Sequence, residues 1–133
     1  MIAETLKEAR ARGLKPMAVA VLDAGGHVTA FEREDGASAL RFQIAHGKAY
    51  GAVALGMGSR AIFQRAEQQP FFVQSINALA GGALVPVPGG VLIRDADGAL
   101  MGAVGVTGDT SDEDEACALA GVAAAGLTAQ AAA

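Results

Sequence analysis

Twice in this chain an aspartate opens a tight, glycine-ended turn between two short apolar runs. Met17-Ala18-Val19-Ala20-Val21-Leu22 leads into Asp23-Ala24-Gly25-Gly26 and out through His27 to Arg33. Val91-Leu92-Ile93-Arg94 leads into Asp95-Ala96-Asp97-Gly98 and out through Ala99 to Thr107. Aspartate bonds its own backbone two residues on, and glycine supplies the positive φ that a tight reversal needs. Each segment therefore reads as a β-hairpin, and any fold for the chain must hold two antiparallel pairs. The likeness of Val21–Gly26 to Ile93–Gly98 is read as shared turn chemistry and not as an internal repeat.

The remainder is helical in pattern. Residues 4–12 are strong helix formers stopped by Gly13. Ser38 is a suitable N-cap for a helix over 39–55, where Phe42, Ala45, Ala49 and Val53 make one apolar stripe. Gly56 and Gly58 end it, Ser59 can cap a short helix over 60–69, and Pro70 opens another through about Ala80. Gly81 and Gly82 break that helix ahead of a proline-punctuated loop over 83–90. A last helix is expected from Asp112 to about Leu127, and the Ala-rich end, 128–133, is expected to fray. Helix, hairpin, helices, hairpin, helix predicts one α+β domain over 1–127, a mostly antiparallel sheet with helices packed on it.

Composition narrows the function classes. At 52% hydrophobic and 18% charged, the 133 residues are not a disordered chain. One cysteine, Cys117, excludes an internal disulfide, a cysteine zinc cage and covalent c-type haem, and reads as a core residue. A net charge of −4, a pI near 5.0 and the absence of tryptophan argue against nucleic acid as a partner. The N-terminus is charged, and no apolar run approaches membrane length, so a soluble, cytoplasmic protein without a membrane partner is expected. With 31 alanines and 18 glycines each residue buries little area, which favours assembly with copies of itself.

Three constellations could carry chemistry. In 109–115, five of the 14 acids crowd together as Asp109, Asp112, Glu113, Asp114 and Glu115. A capped helix start with Thr110 or Ser111 as N-cap needs only two or three, so the excess points to a cation or a basic partner. Arg41 and Lys48, seven apart, lie about 20° from each other on a helix and share that side with Ala45 and Ala52. Such a pair suits an anion, unless both stems snorkel to solvent. Gln43, His46 and Tyr50 occupy another face; His46 is the candidate iron ligand or proton carrier, and His27 reads as a turn residue. The third is Pro86-Val87-Pro88-Gly89-Gly90, either an anion-binding nest or a strand lead-in. Gly102 and Gly105 leave the following strand bare for a helix or a flat ligand. His27 and His46 form no spacing-defined metal motif, and no GxSxG, HExxH, Walker or GxGxxG motif occurs.

Taken in order, Val19 to Phe31 (VAVLDAGGHVTAF), Ile44-Ala45 with Lys48-Ala49, Pro88-Gly89-Gly90, Gly102 to Asp109 (GAVGVTGD) and Asp114-Glu115 resemble the GlcG/HbpS (DUF336) family of haem-binding proteins, which includes the C-terminal domain of PduO-type proteins. The resemblance covers about residues 4–127. It departs at Leu92, where members commonly carry proline. It implies a profilin-like fold, a five-stranded antiparallel sheet flanked by helices on both faces, and a homo-oligomer. It also implies a pocket for haem or another tetrapyrrole lined by Lys48, Pro88, Gly89, Gly90, Asp114 and Glu115. The expected function is an oligomeric small-molecule carrier or sensor, with Arg41 and Lys48 on the haem propionates and His46 on the iron. An enzyme of small-molecule catabolism is the alternative: Arg41 or Lys48 would hold a substrate carboxylate, and Asp114, Glu115 or His46 would move a proton. An accessory subunit without a ligand is the third class.

Overall fold

A computed structural model describes residues 1–133. The chain runs α1 (Ile2–Ala11), β1 (Ala18–Asp23), β2 (Val28–Arg33), α2 (Arg41–Leu55), α3 (Ser59–Gln68), α4 (Pro70–Leu79), β3 (Gly90–Arg94), β4 (Leu100–Thr107), α5 (Ser111–Ala124) and β5 (Thr128–Gln130). All pairings are antiparallel, in the order β2-β1-β4-β3-β5. The expected five-stranded α+β fold with helices on both faces is what the chain forms.

The two Asp-led turns are built alike. Asp23 Oδ1 accepts from the amides of Gly25 and His27, and Asp95 Oδ1 from those of Asp97 and Ala99. Each aspartate thus closes its own reversal, and the strands on either side need no further instruction to pair.

Alternation along the strands divides the core. Val19, Val91, Ile93, Val104 and Val106 face α1 and α5, where Ala9, Cys117, Ala118 and Val122 meet them. On the other face Leu22, Leu92 and Ala103 pack against Ala49 and Ala52 of α2. Cys117 is a core residue as expected, and burial pushes its thiol up to about 11, which leaves it unreactive at neutral pH.

Small residues decide how closely α2 approaches. Ala20, Gly105 and Gly90 stand in one row across β1, β4 and β3. A Cβ on Gly105 would clash with the Ala45 carbonyl, and one on Gly90 with the Lys48 carbonyl. The α2 backbone therefore rests on the sheet itself. The bare strand at Gly105 takes a helix and leaves no room for a flat ligand.

Two local expectations are corrected. Ser38 does not cap α2: the helix begins at Arg41 behind Leu40, without a side-chain cap. The segment expected to fray holds a short strand over 128–130. Thr128, Ala129 and Gln130 pair with Arg94, Ile93 and Leu92, and the Gly58 amide donates to the Ala132 carbonyl at 2.9 Å. The free edge of β3 supplies the ladder that makes this segment a strand. At roughly 1 kcal/mol for each net hydrogen bond, deleting residues 128–133 should lower stability by about 3 kcal/mol in urea melts; an unchanged midpoint would contradict the fifth strand.

Candidate functional site

The acid cluster explains itself first. Thr110 caps α5, its Oγ1 accepting from the Glu113 amide at 3.3 Å. Each of the five acids then has a partner within the chain. Asp109 accepts from the Lys15 and Thr110 amides, and Asp112 pairs with Arg60. Glu113 pairs with Arg12 at 3.1 Å, Asp114 with Lys48 at 3.0 Å, and Glu115 with Arg60 at 3.0 Å. Four of the five acids are matched by cations from the end of α1, from α2 and from α3, so the cluster fastens α5 to its neighbours.

Lys48 is the largest fully buried side chain, 2% exposed, and Asp114 is 1% exposed. Lys48 Nζ donates to Asp114 Oδ2 and, at 2.9 Å, to the Val106 carbonyl. Asp114 Oδ1 accepts from the Asp109 amide at 2.9 Å. Burial lowers the Lys48 ammonium below the usual lysine range and raises the Asp114 carboxyl, and in each case the partner's charge opposes the shift. Gly89, at φ +124, closes the space above: a Cβ there would press on the Lys48 side chain and the Val106 carbonyl. The Gly90 amide donates to Ser59 Oγ at 2.7 Å. Ser59 therefore fastens the lead-in to β3 and does not cap α3, whose N-cap is Gly58.

Lys48, Gly89, Gly90 and Asp114 are brought together around solid packing. In this conformation Lys48 and Asp114 meet each other and no solvent, so neither is open to a ligand; the expectation that they line a pocket is corrected here. Pro86, Pro88 and Gly89 act as the lead-in to β3, which Gly90 opens. Pro88 borders a separate surface cleft of about 280 Å³ with Arg60, Phe63, Thr110 and Asp112. Glu115, 11% exposed at its side chain, is held by Arg60.

Arg41 and His46 lie on opposite sides of α2. Arg41 Nη1 donates to Thr107 Oγ1 at 2.7 Å, and the residue borders a cleft with Lys15 and Ser38. His46 lines a larger hollow of about 330 Å³ between the start of α2 and the turn after α4, with Leu40, Phe42, Gln43, Ile44 and the 81–85 segment. Its half-buried ring stacks on Tyr50 at 5.6 Å and lies 5.9 Å from Phe42, which meets Phe31 edge-on at 4.8 Å. No protein group hydrogen-bonds the imidazole. Arg41 and Lys48 therefore do not grip the same ligand end that His46 faces. Lys15, the cation that does stand across from Arg41, has no helical spacing to announce it.

His27 sits on the first turn with Nδ1 3.3 Å from Asp23 Oδ1, a turn residue as read. No group of three or more His, Cys, Asp or Glu side chains is arranged to hold a metal ion. No helix is long and apolar enough to cross a membrane.

Solved structures share this architecture. A PduOC:heme complex matches with a TM-score of 0.85 and 24% identity, over 96% of this chain and 90% of that one. The Klebsiella pneumoniae protein ORFY, of the DUF336 family, matches with a TM-score of 0.81 and 25% identity, over 92% of this chain and 82% of that one. A double mutant of Streptomyces reticuli HbpS matches with a TM-score of 0.77 and 28% identity, over 92% of this chain and 79% of that one. No protein of curated function matches the sequence. The family model described as "Haem degrading protein HbpS-like" spans residues 1–123, nearly every element that builds the sheet and its helices, and the chain belongs to that HbpS-like family.

Proposed function

We propose that this protein binds haem, with the His46 imidazole as the iron ligand and the hollow beside α2 as the seat of the porphyrin edge. The observation that carries the reading is an imidazole free of protein hydrogen bonds on the wall of a mainly apolar hollow, in a chain of the HbpS-like family. Neutral imidazole is a common iron ligand, and an apolar wall suits the tetrapyrrole. At about 330 Å³ the hollow is at the small end of ligand sites. It would seat one edge of the ring and leave the remainder to solvent or to a second copy of the chain. Phe71 and Leu79, 71% and 84% exposed on α4, favour self-assembly. Haem degradation, named in the family's description, requires haem to be seated first, so binding is the step to test.

Titration with hemin should give a shifted Soret band that saturates at one haem per chain, and His46→Ala should abolish the shift or change its position. An absent shift, or an identical spectrum in His46→Ala, would overturn the reading. Size-exclusion with light scattering, with and without hemin, reports the assembly.

A further inference from the structure

We propose that the cleft walled by Lys15, Ser38 and Arg41 binds a compact oxyanion, either a carboxylate or a phosphate, free or as the acidic end of a small molecule. It is a site apart from the His46 hollow and independent of haem. The cleft, about 160 Å³, is completed by Pro16, the Gly36-Ala37 turn and Gly108, and no acidic side chain lines it. Arg41 is half-buried and is in no ion pair. Its guanidinium donates to a neutral hydroxyl, Thr107 Oγ1. Its charge also disfavours the Lys48 ammonium, and of these two cations only Lys48 is paired with a carboxylate.

The acids nearest Arg41 are bonded to other groups, Asp109 among them to the Lys15 amide at the edge of the cleft, where it feels the Lys15 charge. Both oxygens of Asp109 accept from backbone amides, those of Asp114 hold Lys48 and the Asp109 amide, and Glu34 serves Arg10 and the Met17 amide. Asp35 lines the neighbouring hollow with Arg10 and Glu34. The start of α2 adds to the positive potential, having neither a side-chain cap nor an acid in its first turn. A planar guanidinium with free N–H groups, an exposed ammonium and a hydroxyl around one small opening make a complementary set for an oxyanion.

Thermal melts in sodium phosphate and in sodium acetate, each matched for ionic strength with sodium chloride, test this. At ten times the dissociation constant, a bound anion should raise Tm by about 3–5 °C over chloride. A response to phosphate alone marks a phosphate-type ligand, and a response to acetate a carboxylate-type one. Arg41→Gln should abolish the rise and Lys15→Gln should reduce it, while His46→Ala should retain it. Should Arg41→Gln fail to fold by circular dichroism, Lys15→Gln on the exposed side decides. No rise above chloride in either salt, or a rise that survives in Lys15→Gln and in folded Arg41→Gln, overturns the proposal.

Discussion

Lys48→Ala is expected to lower stability by about 3–5 kcal/mol, and Asp114→Ala by a similar amount, because either change leaves a buried charge without its partner. For a chain of this size that corresponds to a fall in Tm on the order of 10 °C. The pair is nevertheless no net gain over neutral groups. Asp114, raised by burial, favours folding in acid, and that contribution disappears as pH rises through its lifted value. Lys48, lowered by burial, favours folding at pH above the ordinary lysine range, and that contribution disappears as pH falls through its depressed value. With both groups charged, burial works against the fold at each, and their 3.0 Å contact and the backbone bonds offset only part of that cost. The double variant Lys48→Met/Asp114→Asn should therefore lie within about 2 kcal/mol of the wild type, since both charges go and an acceptor for the Asp109 amide stays. Urea melts of the wild type, Lys48→Met, Asp114→Asn and this double variant close a cycle that gives the coupling directly. Additive losses in the double variant would show that the two side chains do not act as a pair.

Residues that act on their immediate neighbours were legible in the sequence, and those that act across the chain were not. Asp23 and Asp95 close turns within four residues, so both hairpins and four of the five strands followed from local chemistry. Thr128–Gln130 carries no strand pattern of its own and is ordered by the edge of β3, more than thirty residues earlier. Ser59 stands where a helix cap belongs, yet its hydroxyl is taken by the Gly90 amide from a strand the cap argument never considers. The surplus of acids at 109–115 was visible as a count, but its partners Arg12, Lys48 and Arg60 come from three separate segments of the chain. Lys48 was the hardest of these. Its flanking alanines and glycines fit an open anion site as well as a helix pressed onto a sheet, and only Asp114, 66 residues on, separates the two. Arg41 shares a cleft with Lys15, which comes from the link between α1 and β1, so no helical spacing pairs the two.

Gly105→Ala should be among the most damaging single-methyl changes in the protein, with a loss of about 3 kcal/mol or more. The new Cβ would meet the carbonyl of Ala45 and, at 3.0 Å, the amide nitrogen of Ala49, both backbone atoms in the middle of α2. A side chain can turn aside from such a contact; the backbone of a fifteen-residue helix can yield only by lifting as a unit. Lifting it would draw Lys48 away from Asp114 and shift the wall that carries His46, so the variant should lose hemin binding along with stability. Gly51→Ala is the fitting control. It sits in the same helix, and its added methyl would meet the Leu84 and Ile62 side chains at 3.0 and 3.3 Å, which can move by a few tenths of an ångström. Helix propensity favours alanine there by about 1 kcal/mol, so Gly51→Ala should stay close to the wild type in urea and in the Soret titration. Similar midpoints for the two variants would mean that α2 does not rest its backbone on β4, and the close approach that buries Lys48 would need another cause.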